Sequence, residues 1–430
     1  MTTFSPLDPE TMPGPDSLQE LRRDALRRFA GGPLPTEADE IWRYSRIGDL
    51  DVGAYHVVRP TAPTGVPGPV QQILDLVGAH SAFALTVDGA LASVEVDEVS
   101  ASEGLRVHPL RDGDPMTSLT SRVEPWDAFV ELNTAQSPAP LVVAVAAGAD
   151  VRDPVVICHW ISTAGSATFP RTLLTVGANA RVRVVEYLLS ADIDAWVSPV
   201  TEIVVDEGGN AEHLVVQELG PKVWSTAYLA SELGRDASLR SFAVALGGEY
   251  ARVRTDSRIP GTGGSAELLA LYCGDHDQMH DFRTLQDHAG PKSRSDLVFK
   301  GAVQDEARSA YSGMIRIHRG ASGTNAFQTN RNLVLSDTGL ATYSVPNLDI
   351  EENDVSCSHA SATGPIDADQ RFYLESRGVP TEDAERLIVL GFFDDLLARL
   401  PIPGLRAHLG RAIGAKLALT EGHGAERSDG

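Results

Sequence analysis

The same kind of turn returns at nearly constant distance through the middle of this chain. Gly177-Ala-Asn-Ala, Gly208-Gly-Asn-Ala, Arg235-Asp-Ala-Ser and Gly263-Gly-Ser-Ala begin 31, 27 and 28 residues apart. Asp305-Glu-Ala-Arg, Gly320-Ala-Ser-Gly and Asp337-Thr-Gly-Leu-Ala extend the series. The turns are interleaved with short apolar alternations such as RVRVVEYLL, EHLVVQEL, SLRSFAVAL and MIRIHRG. Alternation with period two predicts strands, and strands without intervening helices exclude a doubly wound α/β sheet. Two architectures remain. A β-sandwich also gives short strands at 8–12-residue spacing. A solenoid buries a shared core by stacking similar coils, and the recurrence of Ala, Ser, Asn and Gly at corresponding turns favours a parallel β-helix.

The flanks read differently. Residues 1–16 are Pro-rich. Ser17-x-x-Glu20 has the form of a capping box, and Leu18, Leu21, Ala25 and Phe29 follow at helical spacing up to Gly31-Gly32. EADEIWRYSRIGDLD, with Trp42 and Tyr44, predicts a short amphipathic piece, and the stretch from Pro60 to Pro69 a loop. AFALTV, Asp88-Gly89 and ALASVEV predict a hairpin. After Gly364 the helical period returns. Asp367 to Arg377 reads as a helix stopped by Gly378, Pro380-Thr381-Glu382-Asp383 offers an N-cap for a second, and Leu405 to Leu419 a third. The second carries Ala384, Leu387, Ile388, Leu390, Phe393, Leu396 and Leu397, a stripe wide enough for burial among its neighbours or for a partner. The expected division is an N-terminal helical region with a small hairpin over 1–135, a β-helix core over 136–364 and a C-terminal helical docking region over 365–430.

Charge and cysteine content narrow the function. With 59 acids against 36 bases the net charge is -23, which argues against nucleic acid or an anionic membrane surface as partner. Three scattered cysteines, Cys158, Cys273 and Cys357, form no disulfide framework and fit a reducing compartment. The start, MTTFSPLDPETMPGPD, lacks a signal-peptide pattern, and the longest apolar run, from Leu141 to Gly148, is short for a membrane span. A cytoplasmic protein is expected.

No phosphate-binding G-x-x-x-x-G-K-[ST] is present. Gly290-Pro291-Lys292-Ser293 lacks the upstream glycine and puts proline where a backbone N–H is needed. There is no G-x-S-x-G and no H-E-x-x-H. Two groups of candidate ligands remain. Cys273, His276, His280 and His288 have the composition of a metal site, with His276 and His280 expected on one side of a strand, but the spacing matches no recurring motif. Cys357-Ser358-His359 sits where the strand pattern gives way to helix, after Glu351, Glu352 and Asp354. On an extended segment residues i and i+2 share a face, so its thiol and imidazole can reach one iron. Two ligands do not saturate tetrahedral iron, and a buried cysteine is commonly inert packing.

SDLVFKGAVQDEARSAYSGMIRIHRGA, TNRNLVLSD, PNLDIEENDVSCSH and FYLESRG, in that order, closely resemble the SufD side of the SufB/SufD family of SUF iron–sulfur cluster assembly proteins. EADEIWRYS and LNTAQSPAPLVV match more weakly. The sister SufB has a cysteine near the position of Asn330 and H-E-A where this chain has Ser358-His359-Ala360. The family's H-G-A-T is here His359-Ala360-Ser361-Ala362. The resemblance implies a right-handed parallel β-helix between helical ends, in a scaffold subunit without catalysis of its own. It implies pairing with a SufB-like subunit through the β-helix and docking of a SufC-like ATPase through the C-terminal helices. His359, with Cys357, would hold a transient iron–sulfur cluster or iron shared with the partner, and the isolated chain would carry no tightly bound cofactor. A lone chain is also expected to be able to self-pair as a homodimer. The rival reading is an independent metal-dependent enzyme using Cys273, His276, His280 and His288; a third is a purely structural β-helix adaptor.

Overall fold

The structure, a computed structural model, describes residues 4–58, 65–114, 126–335 and 342–418. The expected turn at Asp337, half of the Pro60 loop and the polar tail from Glu421 lie outside them.

The alternating stretches build two sheets. In the first, Leu141–Val145, Arg171–Val176, Val200–Val205, Val223–Leu233, Tyr250–Ile259, Met279–His288, Arg308–Ile317 and Thr342–Ile350 pair in parallel in that order. In the second, the order is Ala82–Val87, Val155–Ile161, Arg181–Ser190, Asn210–Glu218, Ser238–Ala245, Ser265–Gly274, Arg294–Val303, Thr324–Val334 and Val355–Gly364. From Tyr250 onward each strand pairs with the one two elements earlier in sequence. The chain therefore winds from sheet to sheet as a β-solenoid of about eight turns. The hairpin joins it directly: Ala82–Val87 pairs antiparallel with Ala90–Val96 and parallel with Val155–Ile161, and so opens the second sheet.

The recurring turns have a backbone cause. Asn179, Gly208, Asp236, Gly263 and Lys292 all take left-handed φ, between 52° and 73°, at successive corners where the chain leaves the first sheet for the second. Asparagine, aspartate and glycine tolerate that region best. At Gly208 a Cβ would also lie 2.5 Å from Asn179 Oδ1 on the preceding coil. This is why the corners repeat a small vocabulary at the coil period.

The inner faces meet in a lumen. Val143, Leu174 and Ile203 from the first sheet pack on Ile157, Val184 and Leu239 from the second. Farther along, Leu268, Tyr272, Phe282, Phe299 and Tyr311 fill it. Some of the helices roof the outer face of the second sheet, while Leu18 and Val130 of two others pack on Val142, Leu173, Val200 and Tyr228 of the first. α1 is Asp16–Gly31, α2 Gly68–Val77, α3 Glu98–Ser102, α4 Ala128–Gln136, α5 Ala368–Ser376, α6 Thr381–Leu397 and α7 Pro403–Ala418. Val70 and Ile73 of α2, Phe393 and Leu396 of α6, and Leu405, Leu409 and Ile413 of α7 pack on Val185, Tyr187, Leu214, Phe242 and Leu271. Outside the first sheet, the N-terminal segment is fastened by buried ion pairs. Arg252 and Arg283 share Asp281, and their guanidinium groups donate to the carbonyls of Ile41 and Arg43 at 2.8 and 2.6 Å.

Two local expectations are corrected. Ser17 does not cap α1: the N-cap is Pro15, no side chain caps it, and the Ser17 hydroxyl turns to Asp112 at 3.4 Å. A proline before the first turn supplies the extended backbone that a capping serine would otherwise fix. Likewise Pro380 is the N-cap of α6, without a side-chain cap, though Glu382 and Asp383 do lie in the first turn. Asp367 does cap α5, accepting from the amides of Asp369 and Gln370, and Gly378 ends it at φ 84°.

Candidate functional site

Val355–Gly364 is the last strand of the second sheet, and among the described residues it pairs only with Thr324–Val334. The first sheet likewise stops at Thr342–Ile350, paired only with Arg308–Ile317. Both sheets thus end on open edges at the same end of the solenoid, each offering backbone N–H and C=O groups to another strand.

Cys357 and His359 lie on that open rung, opposite Ala326 and Gln328, and share one face of the strand. Cys357 is half-buried against Ile315, Ile317 and Ala326, and partial desolvation raises its thiol above the usual range. His359 is exposed. The geometry brings together the pair that the sequence singled out. A soft thiol and an imidazole on one face suit iron; among the described residues no side-chain hydrogen bond or ion pair engages either.

Beneath them runs a hydrogen-bonded chain that sequence reasoning missed. Ser361 Oγ donates to Ser344 Oγ at 2.7 Å, tying the two terminal strands together across the opening. Ser344 Oγ donates to Asn330 Oδ1 at 2.9 Å, and Asn330 Nδ2 to the Tyr272 hydroxyl at 3.1 Å. That hydroxyl in turn donates to Asn332 Oδ1 at 2.6 Å. Asn330 stands near the position where the resemblance puts a cysteine in SufB; here it is an amide in a network. The one available signal was Asn330-x-Asn332 inside a strand, two polar groups on one face. The partners lie up to 60 residues away, where no motif links them.

The other candidate group comes apart. Cys273 faces outward under α7, in the cluster with Leu409 and Ile413, and burial pushes its thiol up to about 12. His280 lies on the first sheet two residues before Phe282, which is in the lumen; burial lowers its imidazole to about 3. His276 does not share a strand face with it. His276 occupies the preceding turn at φ 53° and is exposed, because the chain must turn there between the sheets. His288 is buried and bonded through its two ring nitrogens to Ser293 and Ser295 at 2.8 and 2.7 Å. Among the described residues no three ligand side chains converge on one point.

Comparison with known proteins agrees with this architecture. The family described as "SUF system FeS cluster assembly, SufBD core domain" matches residues 159–392. An iron–sulfur cluster assembly SufBD family protein of Mycobacterium leprae is 45% identical over 197 residues, 44% of this chain and 50% of that protein. The chain thus spans about half the length of that relative. The iron–sulfur cluster assembly protein SufD of Bacillus subtilis is 29% identical over 273 residues, 62% of each chain. SufD of Escherichia coli is 25% identical over 398 residues, 91% of each. With more than half of its length matched and the solenoid in place, the chain belongs to the SufBD family of SUF iron–sulfur cluster assembly proteins.

Proposed function

We propose that this chain is the SufD-type scaffold subunit of a cluster-assembly complex. A SufB-like subunit pairs at the open end of the solenoid, and a SufC-like ATPase docks on the C-terminal helices. The carrying observation is that Cys357 and His359, an incomplete ligand set, sit on the terminal rung, whose outer edge is open among the described residues. A nascent cluster or iron, as cargo, takes His359 from this chain and the remaining ligands from the partner. Phe372, Tyr373 and Leu387 support the second contact: they are large apolar residues exposed on α5 and α6, beside a groove lined by Leu374, Ile388 and Phe392.

ATP turnover belongs to the partner, since this chain has no phosphate loop. Three free cysteines fit a reducing, cytoplasmic setting, and no helix among the described residues is long and apolar enough to cross a membrane. The test is cluster reconstitution on the three-component complex with His359→Ala. A loss of yield with the complex intact supports the ligand role; undiminished yield removes it and leaves the structural adaptor.

A further inference from the structure

Two buried tyrosines carry the order of the packed lumen up to the terminal rung, and each passes a glycine to do so. Tyr272, Gly301 and Asn332 are register partners on three successive rungs of the second sheet. A Cβ on Gly301 would overlap the Tyr272 ring and lie 2.6 Å from Asn332 Oδ1. Without it the Tyr272 hydroxyl crosses one rung and enters a closed ring. Asn330 Nδ2 donates to that hydroxyl at 3.1 Å, the hydroxyl to Asn332 Oδ1 at 2.6 Å, and Asn332 Nδ2 to Asn330 Oδ1 at 2.7 Å. Tyr311 does the same from the first sheet. A Cβ on Gly313 would overlap the Tyr311 hydroxyl and lie 2.6 Å from Gln328 Oε1, to which that hydroxyl donates.

Both interior anchors end beside His359. Gln328, held by Tyr311, is its register partner on the rung below. Asn330 Oδ1 accepts from Ser344 Oγ at 2.9 Å, which in turn accepts from Ser361 Oγ at 2.7 Å. Ser361 follows His359 by two residues and shares its strand face. Ser344 and Ser361 lie on the last strands of different sheets, and among the described residues each of those strands is paired on one side only. The hydroxyl pair therefore joins two edges that are otherwise held only by their own sheets, and fixes the joint to a buried ring.

We propose that Ser344 and Ser361 are positioning residues for His359, acting through the strand and not on the cargo. A strand with one neighbour opens locally at low cost, and a group displaced by about 1 Å loses much of its effect on a reaction. The joint holds the imidazole in place before a partner arrives, which is how a productive site is preorganised. This assignment rests on the reading of His359 as a ligand.

The test is the initial rate of cluster reconstitution on the three-component complex, with co-purification of the complex from the same samples. Ser361→Ala and Ser344→Ala are each expected to slow it about tenfold with the complex intact. The double variant should be no slower than Ser344→Ala alone, because both changes break one link. Ser361→Thr keeps the hydroxyl and should restore the wild-type rate. In the free chain, Ser361→Ala should speed amide exchange across residues 342–350 and 355–364 without lowering the melting temperature, since Ser361 is exposed. A wild-type rate in either alanine variant, additive slowing in the double, no rescue by threonine, unchanged exchange or loss of the complex overturns the positioning role. His359→Ala tells this failure from that of the ligand reading. If it slows reconstitution while the serine variants do not, the ligand stands and the joint is only structural; if it does not, both assignments fall.

Discussion

His359 stands directly across from Gln328 in the final parallel pairing of the second sheet. Gln328 is buried, and its Oε1 accepts from the Tyr311 hydroxyl at 3.1 Å. His359 is exposed, with no rung above it among the described residues. The candidate ligand therefore rests on a floor fixed by the interior while its ring remains available to a second chain. Cys357, two residues earlier, leans toward the interior instead. Histidine is thus the better-placed candidate of the two, while the cysteine packs against Ile315, Ile317 and Ala326.

The three thiols are expected to react unequally. Burial raises the Cys158 and Cys273 thiols to about 12, while half-buried Cys357 is raised less far. At neutral pH the native chain should alkylate at Cys357 alone, slowly, and faster as the pH climbs above the usual thiol range of about 8.5. Denaturant should open all three. Mass spectrometry of iodoacetamide adducts checks this, and equal labelling of Cys273 in the native chain would contradict the packing under α7. Mixing with a SufB-like partner should protect Cys357.

Leu387→Asp and Phe372→Asp should weaken ATPase binding with little change in melting temperature. Leu387 is 50% and Phe372 69% exposed, so a charge there costs little in the free chain. In a docked helix surface it would be desolvated without a partner, which typically costs several kcal/mol. Co-purification and a thermal melt, run on the same samples, separate loss of docking from loss of folding.

Phe393→Ala should do the reverse. Phe393 is fully buried where α6 meets the second sheet. Its truncation should cost about 3–5 kcal/mol, read as a lower denaturation midpoint, with binding lost only as the helices detach.

Much of this was legible in the sequence, and the reasons differ between elements. The coil period showed because Asn179, Gly208, Asp236 and Gly263 all need left-handed backbone, and few residues tolerate it. Cys357 and His359 showed because the pair sits within one short strand. The Ser361–Ser344–Asn330–Tyr272 chain did not, because its members meet only when coils stack. Neither did the dispersal of Cys273 and His280: seven residues separate them in sequence, but the intervening turn carries them to different sheets and different faces. Proximity in a solenoid follows the coil period rather than the shortest path along the chain.

The buried ion-pair cluster outside the first sheet makes the last prediction. Asp281 accepts from Arg252, Arg283 and Tyr250, and despite burial the two guanidinium groups hold its carboxyl below the ordinary range. A depressed carboxyl in the fold contributes stability that is fully present above the unfolded value of about 3.9 and is lost as pH falls toward the folded one. Stability should therefore be flat from this source between about pH 5 and 8 and decline in acid below about pH 4. Arg252→Met keeps the stem that packs on Trp42, over whose ring the guanidinium lies at 3.6 Å, but leaves Asp281 with one cation fewer. Breaking a buried pair in this way costs about 3–5 kcal/mol. Because Arg252 also donates to the carbonyl of Ile41, the same change should free the N-terminal segment, seen as faster amide exchange across residues 40–44. Denaturation curves at pH 7 and pH 3.5 check both parts. If the variant and the wild type differ by the same amount at the two pH values, charge on Asp281 is not what the arginine is balancing.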